Sequence, residues 1–127
     1  MLLISSKQEG DIGGQCVEYV KDCFGISTND HIGNPKEFPA KHKKLAKPIT
    51  SCIAAWDAHA NNEFGHVGVV EAVEYGPHAT GAYKIKRFSC SNRKGDEVVH
   101  VQMNKSLSEL ERDGGTGRFL GYFEILL

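Results

Sequence analysis

The sequence has no surplus of either charge. Its 127 residues hold 15 Lys and Arg against 16 Asp and Glu, a formal net charge of −1. Nucleic-acid binders usually carry a basic excess, so that class is not expected. No apolar run approaches ~18 residues, so no membrane-spanning helix is expected either. The opening "MLLISSKQEGD" lacks a basic start, a long apolar stretch and a small-residue cleavage site. It is not read as a signal peptide. The four cysteines, Cys16, Cys23, Cys52 and Cys90, contain no C-x-x-C pair, which argues against a zinc ribbon or a thioredoxin-like motif. They are expected to be mostly reduced thiols in a chain made in a cytoplasm. No repeat or low-complexity tract is visible, and Pro is scarce at four residues. With 40% hydrophobic residues, one folded domain over residues 1–127 is expected. The one local charge excess is "KHKKLAK", positions 41–47. It reads as a solvated face, or as a contact for an anionic polymer such as an acidic wall glycan.

What is present is a helix followed by strands. From Cys16, the residues Val17, Val20 and Phe24 recur at helical spacing, widened by Tyr19 and Cys23, and Gly25 is a natural stop. Positions 26–48 hold three of the prolines and read as loops around a short helix near 35–43. Strands are expected in "SCIAAWDA", in "HVGVVEAVEY" continuing into "GPHATG", in "AYKIKRFSC", in "VVHVQM" and in the closing "RFLGYFEILL". In "AYKIKRFSC", alternation puts Tyr83, Ile85 and Arg87 on one side and Lys84, Lys86 and Phe88 on the other. "KSLSELERDGG" reads as a short helix or irregular loop. Sequential strands joined by tight turns imply an antiparallel sheet, and segregated helices imply an α+β domain.

The candidate chemistry lies in "GGQCVEYVKDCFG" and "FGHVGVVEAVE". Cys16 stands in the first turn of its helix, where the positive end of the helix dipole is expected to lower a thiol pKa. His66 opens a strand after Gly65, far away in sequence but within reach across a helix–sheet contact. An imidazole there can take the thiol proton and return it to a leaving amine, and Gly65 is expected to leave room for substrate. From pattern alone a second reading stands beside this one: a core cysteine and a satisfied strand-end histidine. His31, His42, His59 and His78 lie in polar or turn segments and are expected at the surface; His100 is expected to be structural. Trp56 is expected either to line a substrate groove or to pack in the core.

Several segments, in order, resemble the CHAP family of cysteine, histidine-dependent amidohydrolases and peptidases. "GQCVEYV" resembles its nucleophile segment, "GNPKEFPA" and "KPITSCIAAWD" two following segments, "GHVGVVEAV" its histidine segment and "RFLGYFEI" its closing strand. The chain departs from the family pattern where Ser51-Cys52 replaces a Gly-Asp and where Phe38 replaces a Trp. It departs again where "SCSN" places Cys90 at the acid position of a Glu-x-Asn while keeping Asn92. The resemblance implies a papain-like fold with N-terminal helices packed on an antiparallel sheet. It implies Cys16 as nucleophile, His66 as base and Asn92 as the residue that orients the imidazole, with Glu71 and Asp57 as fallbacks. The Cys16 backbone N–H and the Gln15 side chain are the implied oxyanion donors. The implied substrate is peptidoglycan or its fragments, and no metal or organic cofactor is required. The alternatives are an amidase acting on a soluble γ-glutamyl or polyamine conjugate, and an inactive wall-binding module. A monomer is expected, without a membrane partner, reaching the wall as a phage lysin or secreted effector; an immunity or inhibitor protein is left open.

Overall fold

The computed structural model describes residues 2–76 and 83–127. The expected continuation of a strand into "GPHATG", and the placement of His78, fall outside those residues. Helix α1 spans Cys16–Phe24 and ends at Gly25, whose φ of 65° is the left-handed turn that glycine adopts without a Cβ clash. A 3₁₀ turn at Pro35–Glu37 leads into the short helix α2, Phe38–Lys41. Six strands follow: β1 Lys43–Leu45, β2 Cys52–Trp56, β3 His66–Tyr75, β4 Tyr83–Ser91, β5 Val99–Ser106 and β6 Phe119–Glu124. Helix α3, Leu107–Asp113, lies between β5 and β6. Its start is set by a capping box, in which Ser106 Oγ accepts the Glu109 N–H and Glu109 accepts the Ser106 N–H.

The strands form one sheet in the order β1-β6-β2-β3-β4-β5, and every adjacent pair is antiparallel. The chain is therefore an α+β domain. The C-terminal strand β6 returns to the interior of the sheet, between β1 and β2. Strand β2 is buried at all five positions because both of its faces are covered. Ile53 and Ala55 pack with Val67, Val69, Val99 and Phe123 against Tyr19, Val20 and Cys23 of α1. Cys52, Ala54 and Trp56 pack with Val70, Ile85, Phe88 and Cys90 against Leu110 of α3.

Three expectations are corrected. The lysines of the basic stretch are exposed, as a solvated face requires, but Lys43–Leu45 is a strand and not loop: it pairs with β6, and Lys43 lies 3.9 Å from Glu124. His42 is buried rather than exposed. Its ring bridges Ile32 O at 2.7 Å and the Leu126 N–H at 3.0 Å, tying the α2 region to the C-terminal segment. In β4 the simple alternation fails, because the β3–β4 register shifts between Val70 and Val73. Ile85 therefore joins Phe88 in one core, while Arg87 ion-pairs with Glu71.

Gly68 fits tightly against β4. A Cβ there would run into the Phe88 ring, 2.6 Å from Cε1, and lie 2.9 Å from the Cys90 Cβ. Gly68→Ala is expected to destabilise the fold by about 1–3 kcal/mol, the usual cost of overpacking. Phe88→Leu in the same chain should recover part of that loss. Chemical denaturation of the two variants and wild type checks this; an unchanged midpoint in Gly68→Ala would contradict the packing.

Candidate functional site

The site begins at the N-terminus of α1. Gln15 is the N-cap, in extended conformation, and its side chain does not cap the helix. Cys16 is the first helical residue and the one cysteine of the four that is half-buried rather than fully buried. The backbone N–H groups of Val67, foremost, then of Val17 and Cys16 itself lie near enough to the sulfur to favour the thiolate. The thiol therefore rests against the start of β3, one residue from His66. Burial nevertheless outweighs these donors and pushes the thiol pKa up. The expected lowering by the helix dipole is overturned by desolvation.

His66 is the first residue of β3 and 4% exposed. Its partner across the ladder is Trp56, and the two rings lie 5.9 Å apart. Burial pushes the imidazole pKa down to about 3, helped by the positive charges of Arg93 and His100. Its Nε2 is sealed from solvent without a hydrogen-bond partner among the described residues. Thiol and imidazole are thus both neutral at rest.

Asn92 does not orient this ring. It closes β4 with a φ of +66°, a left-handed conformation that Asn tolerates better than most residues. That twist turns its amide away from the strand's alternation and toward α1. Nδ2 donates to Gln15 Oε1 at 2.8 Å, and Oδ1 accepts the Glu97 N–H at 2.9 Å. The fallbacks are also engaged elsewhere. Glu71 accepts from Arg87 at 3.1 Å and from Ser89, which in turn accepts from Tyr19 on the α1 side of the sheet. Asp57 accepts from Arg118 at 3.3 Å. Cys90, at the family's acid position, is buried in the second core, and its thiol is pushed up to about 12 by burial.

A groove of about 440 Å³ opens beside Cys16 and runs between α1 and the 28–37 loop. Gln15, Glu18, His31, Glu37 and Phe64 are among its walls. Neither residue expected there lines it. Trp56 is fully buried, donates Nε1–H to Glu111 O at 2.8 Å, and sits against the bare backbone of Gly114 and Gly115. Gly65 has a φ of +90°, and a Cβ on it would lie 2.5 Å from Trp56 O and 3.0 Å from Pro35. Its role is close backbone packing, not room for substrate. The aromatic wall is Phe64 instead, 51% exposed and presented by a turn in which Asn62 Oδ1 accepts the N–H groups of Phe64 and Gly65. Sequence reasoning missed Phe64, although a large aromatic inside the polar run "HANNEFG" is a readable signal.

Among the described residues, no group of three or more His, Cys, Asp and Glu side chains is placed to hold a metal ion, and no helix is long and apolar enough to cross a membrane. No curated protein and no solved structure matches the chain. The CHAP domain family model matches residues 6–84, a span that includes α1 with Cys16, the groove, and β3 with His66. The chain belongs to the CHAP domain family, a family of amidases and peptidases that often act on peptidoglycan.

Proposed function

We propose that this protein is a papain-like cysteine hydrolase that cuts peptidoglycan amides, either the N-acetylmuramoyl-L-alanine bond or a peptide bond of the stem or cross-bridge. The observation that carries the reading is the Cys16 thiol. It stands at the head of α1, against the first residues of β3, and opens onto a groove. Cys16 Sγ gives its proton to His66 and attacks the substrate carbonyl carbon. The negative charge that develops on the carbonyl oxygen is met by the Cys16 backbone N–H and the Gln15 amide. His66 passes the proton to the departing amine as the C–N bond breaks, leaving a thioester on Cys16. Water then gives a proton to His66, attacks the thioester and releases the acid, and the proton returns to the thiol. With Nε2 sealed in, the proton is carried on Nδ1. The protein meets its substrate in the wall after phage release or secretion.

A second reading is favoured by one observation. The neutral thiol and the buried imidazole Nε2, without a partner among the described residues, fit a wall-binding module that has lost turnover. Purified sacculi of several wall types, treated with wild type or with iodoacetamide-blocked protein, separate the two. Mass analysis showing new amino termini or lactoyl-linked fragments, absent after blocking, is the expected result and names the bond. Binding to sacculi without release would favour the module. Turnover confined to soluble γ-glutamyl or polyamine conjugates would keep the chemistry and move the substrate.

A further inference from the structure

We infer that Asn92 is a positioning residue for the Gln15 amide rather than for the imidazole, and that with Glu97 it fixes which way round that amide sits in the wall of the thiol's groove. The inference rests on the proposed thiol mechanism. Its core is a chain of hydrogen bonds whose two ends leave no choice of direction. At one end, the Glu97 backbone N–H is a donor, so the Asn92 atom that receives it is the carbonyl oxygen Oδ1, 2.9 Å away. The other end of Asn92 is then Nδ2, a donor, and the Gln15 atom it meets at 2.8 Å must be Oε1. Gln15 Nε2 is left on the opposite side and donates to Glu97 Oε1 at 3.3 Å, an atom of a carboxylate, which accepts. The direction read from the backbone end agrees with the direction read from the carboxylate end.

The amide of Gln15 is thereby held at both ends by the β4–β5 turn, Oε1 on Asn92 and Nε2 on Glu97. Nε2 carries two hydrogens and Glu97 takes one, so one N–H remains for a substrate oxygen in the groove that Gln15 and Cys16 both line. The turn that supplies this clamp is anchored to the segment before Cys16. The Gly13 and Gly14 N–H groups donate to Glu97 O at 3.0 and 3.2 Å, and Ser91 Oγ donates to Gly14 O at 2.6 Å. Asn92 suits the position twice: it tolerates φ of +66°, and it carries a donor and an acceptor on one planar group.

Two backbone-compatible variants oppose this role to that of an imidazole orienter. Asn92→Gly keeps the left-handed turn and removes the clamp. Asn92→Asp keeps the shape but replaces the donor with an acceptor. Gln15 Oε1 then meets a carboxylate whichever way the amide turns, that of the new side chain as it stands or that of Glu97 after a flip, so the Nε2 donor is no longer held in place. The expected order of kcat on sacculi is wild type, then Asn92→Gly, then Asn92→Asp, with the last down by up to about 10²–10³-fold, the scale of a lost oxyanion donor. In a Gln15→Ala background, Asn92→Asp should cost nothing further. The pH profile of Cys16 alkylation, which needs the thiol and imidazole but no oxyanion donor, should be the same in all of them. An orienter of His66 gives the reverse. Asp then serves as well as Asn or better, its effect persists without Gln15, and the alkylation profile shifts. Either that order or an additive cycle overturns the inference. Should wild type release nothing from sacculi, the wall-hydrolase reading fails on its own. The side-chain resonances then decide the clamp: in Asn92→Asp the Gln15 amide signals move and the His66 ring signals do not, whereas the opposite pattern overturns it.

Discussion

Cys16→Ser is expected to lower turnover of wall substrate by at least about 10³-fold while leaving the fold in place. The loss follows from the state of the pair at rest. Burial raises the thiol and depresses the imidazole, so His66 is a weak base in the free protein. Even a thiol is then deprotonated only against a gradient, and an alcohol, with a far higher pKa, is out of reach. Stability should change little, by less than about 1 kcal/mol. Residue 16 lies outside the fully buried set and starts a helix where serine is well tolerated. Matched thermal melts beside product release from sacculi test both halves. A serine variant with a tenth or more of wild-type turnover would mean that the sulfur is not the nucleophile. Because Cys23, Cys52 and Cys90 are buried, mild alkylation of the folded protein should add a single adduct, at Cys16, and adding it should mimic the variant.

Much of the scaffold behind this pair was legible. The stripe of Val17, Val20 and Phe24 with Gly25 behind it is local information, and α1 runs over those residues. The antiparallel order could be read because each strand is bounded by its own turn signals. What could not be read depends on distant partners. β1 is three residues long and carries two lysines, and it is a strand because β6, some eighty residues later, pairs with it. His42 lies in a basic run, yet it is buried because Ile32 O and the Leu126 N–H converge on its ring. Trp56 offered an aromatic wall, but the two glycines that let its indole sink into the core lie nearly sixty positions further on. The site divides along the same line. The type and spacing of Cys16 and His66 were visible in the motifs. The partner of Asn92 was not, since a left-handed φ at a strand end redirects a side chain in a way strand alternation does not encode.

The acid side of the stability curve should carry the signature of His66. Its folded pKa of about 3 lies below the ordinary value of 6.5. Between those values the unfolded chain binds a proton that the folded chain refuses, so the free energy of unfolding rises with pH. This contribution is complete above pH 6.5 and is lost as pH falls toward 3. Its slope approaches roughly 1.4 kcal/mol per pH unit where the difference is one full proton. His66→Gln, a polar neutral side chain of similar reach, should flatten the curve by that amount. Carboxylates begin to titrate lower down, so the comparison is cleanest between pH 6.5 and 4.5. The same burial bears on catalysis. The variant should lose about 10²–10⁴-fold in kcat/KM, the usual worth of a positioned acid–base group. Wild type, in turn, should show no acid limb near 6.5, because its imidazole is still neutral well below that pH. A wild-type acid limb at 6.5, or parallel stability curves for the two proteins, would mean that the ring is solvated in solution. If the curves diverge as expected, the buried Nε2 becomes the cost of the chemistry: the imidazolium formed at each proton transfer finds no acceptor behind it among the described residues. Substrate affinity along the Cys16 groove then has to supply what the family's missing carboxylate does not.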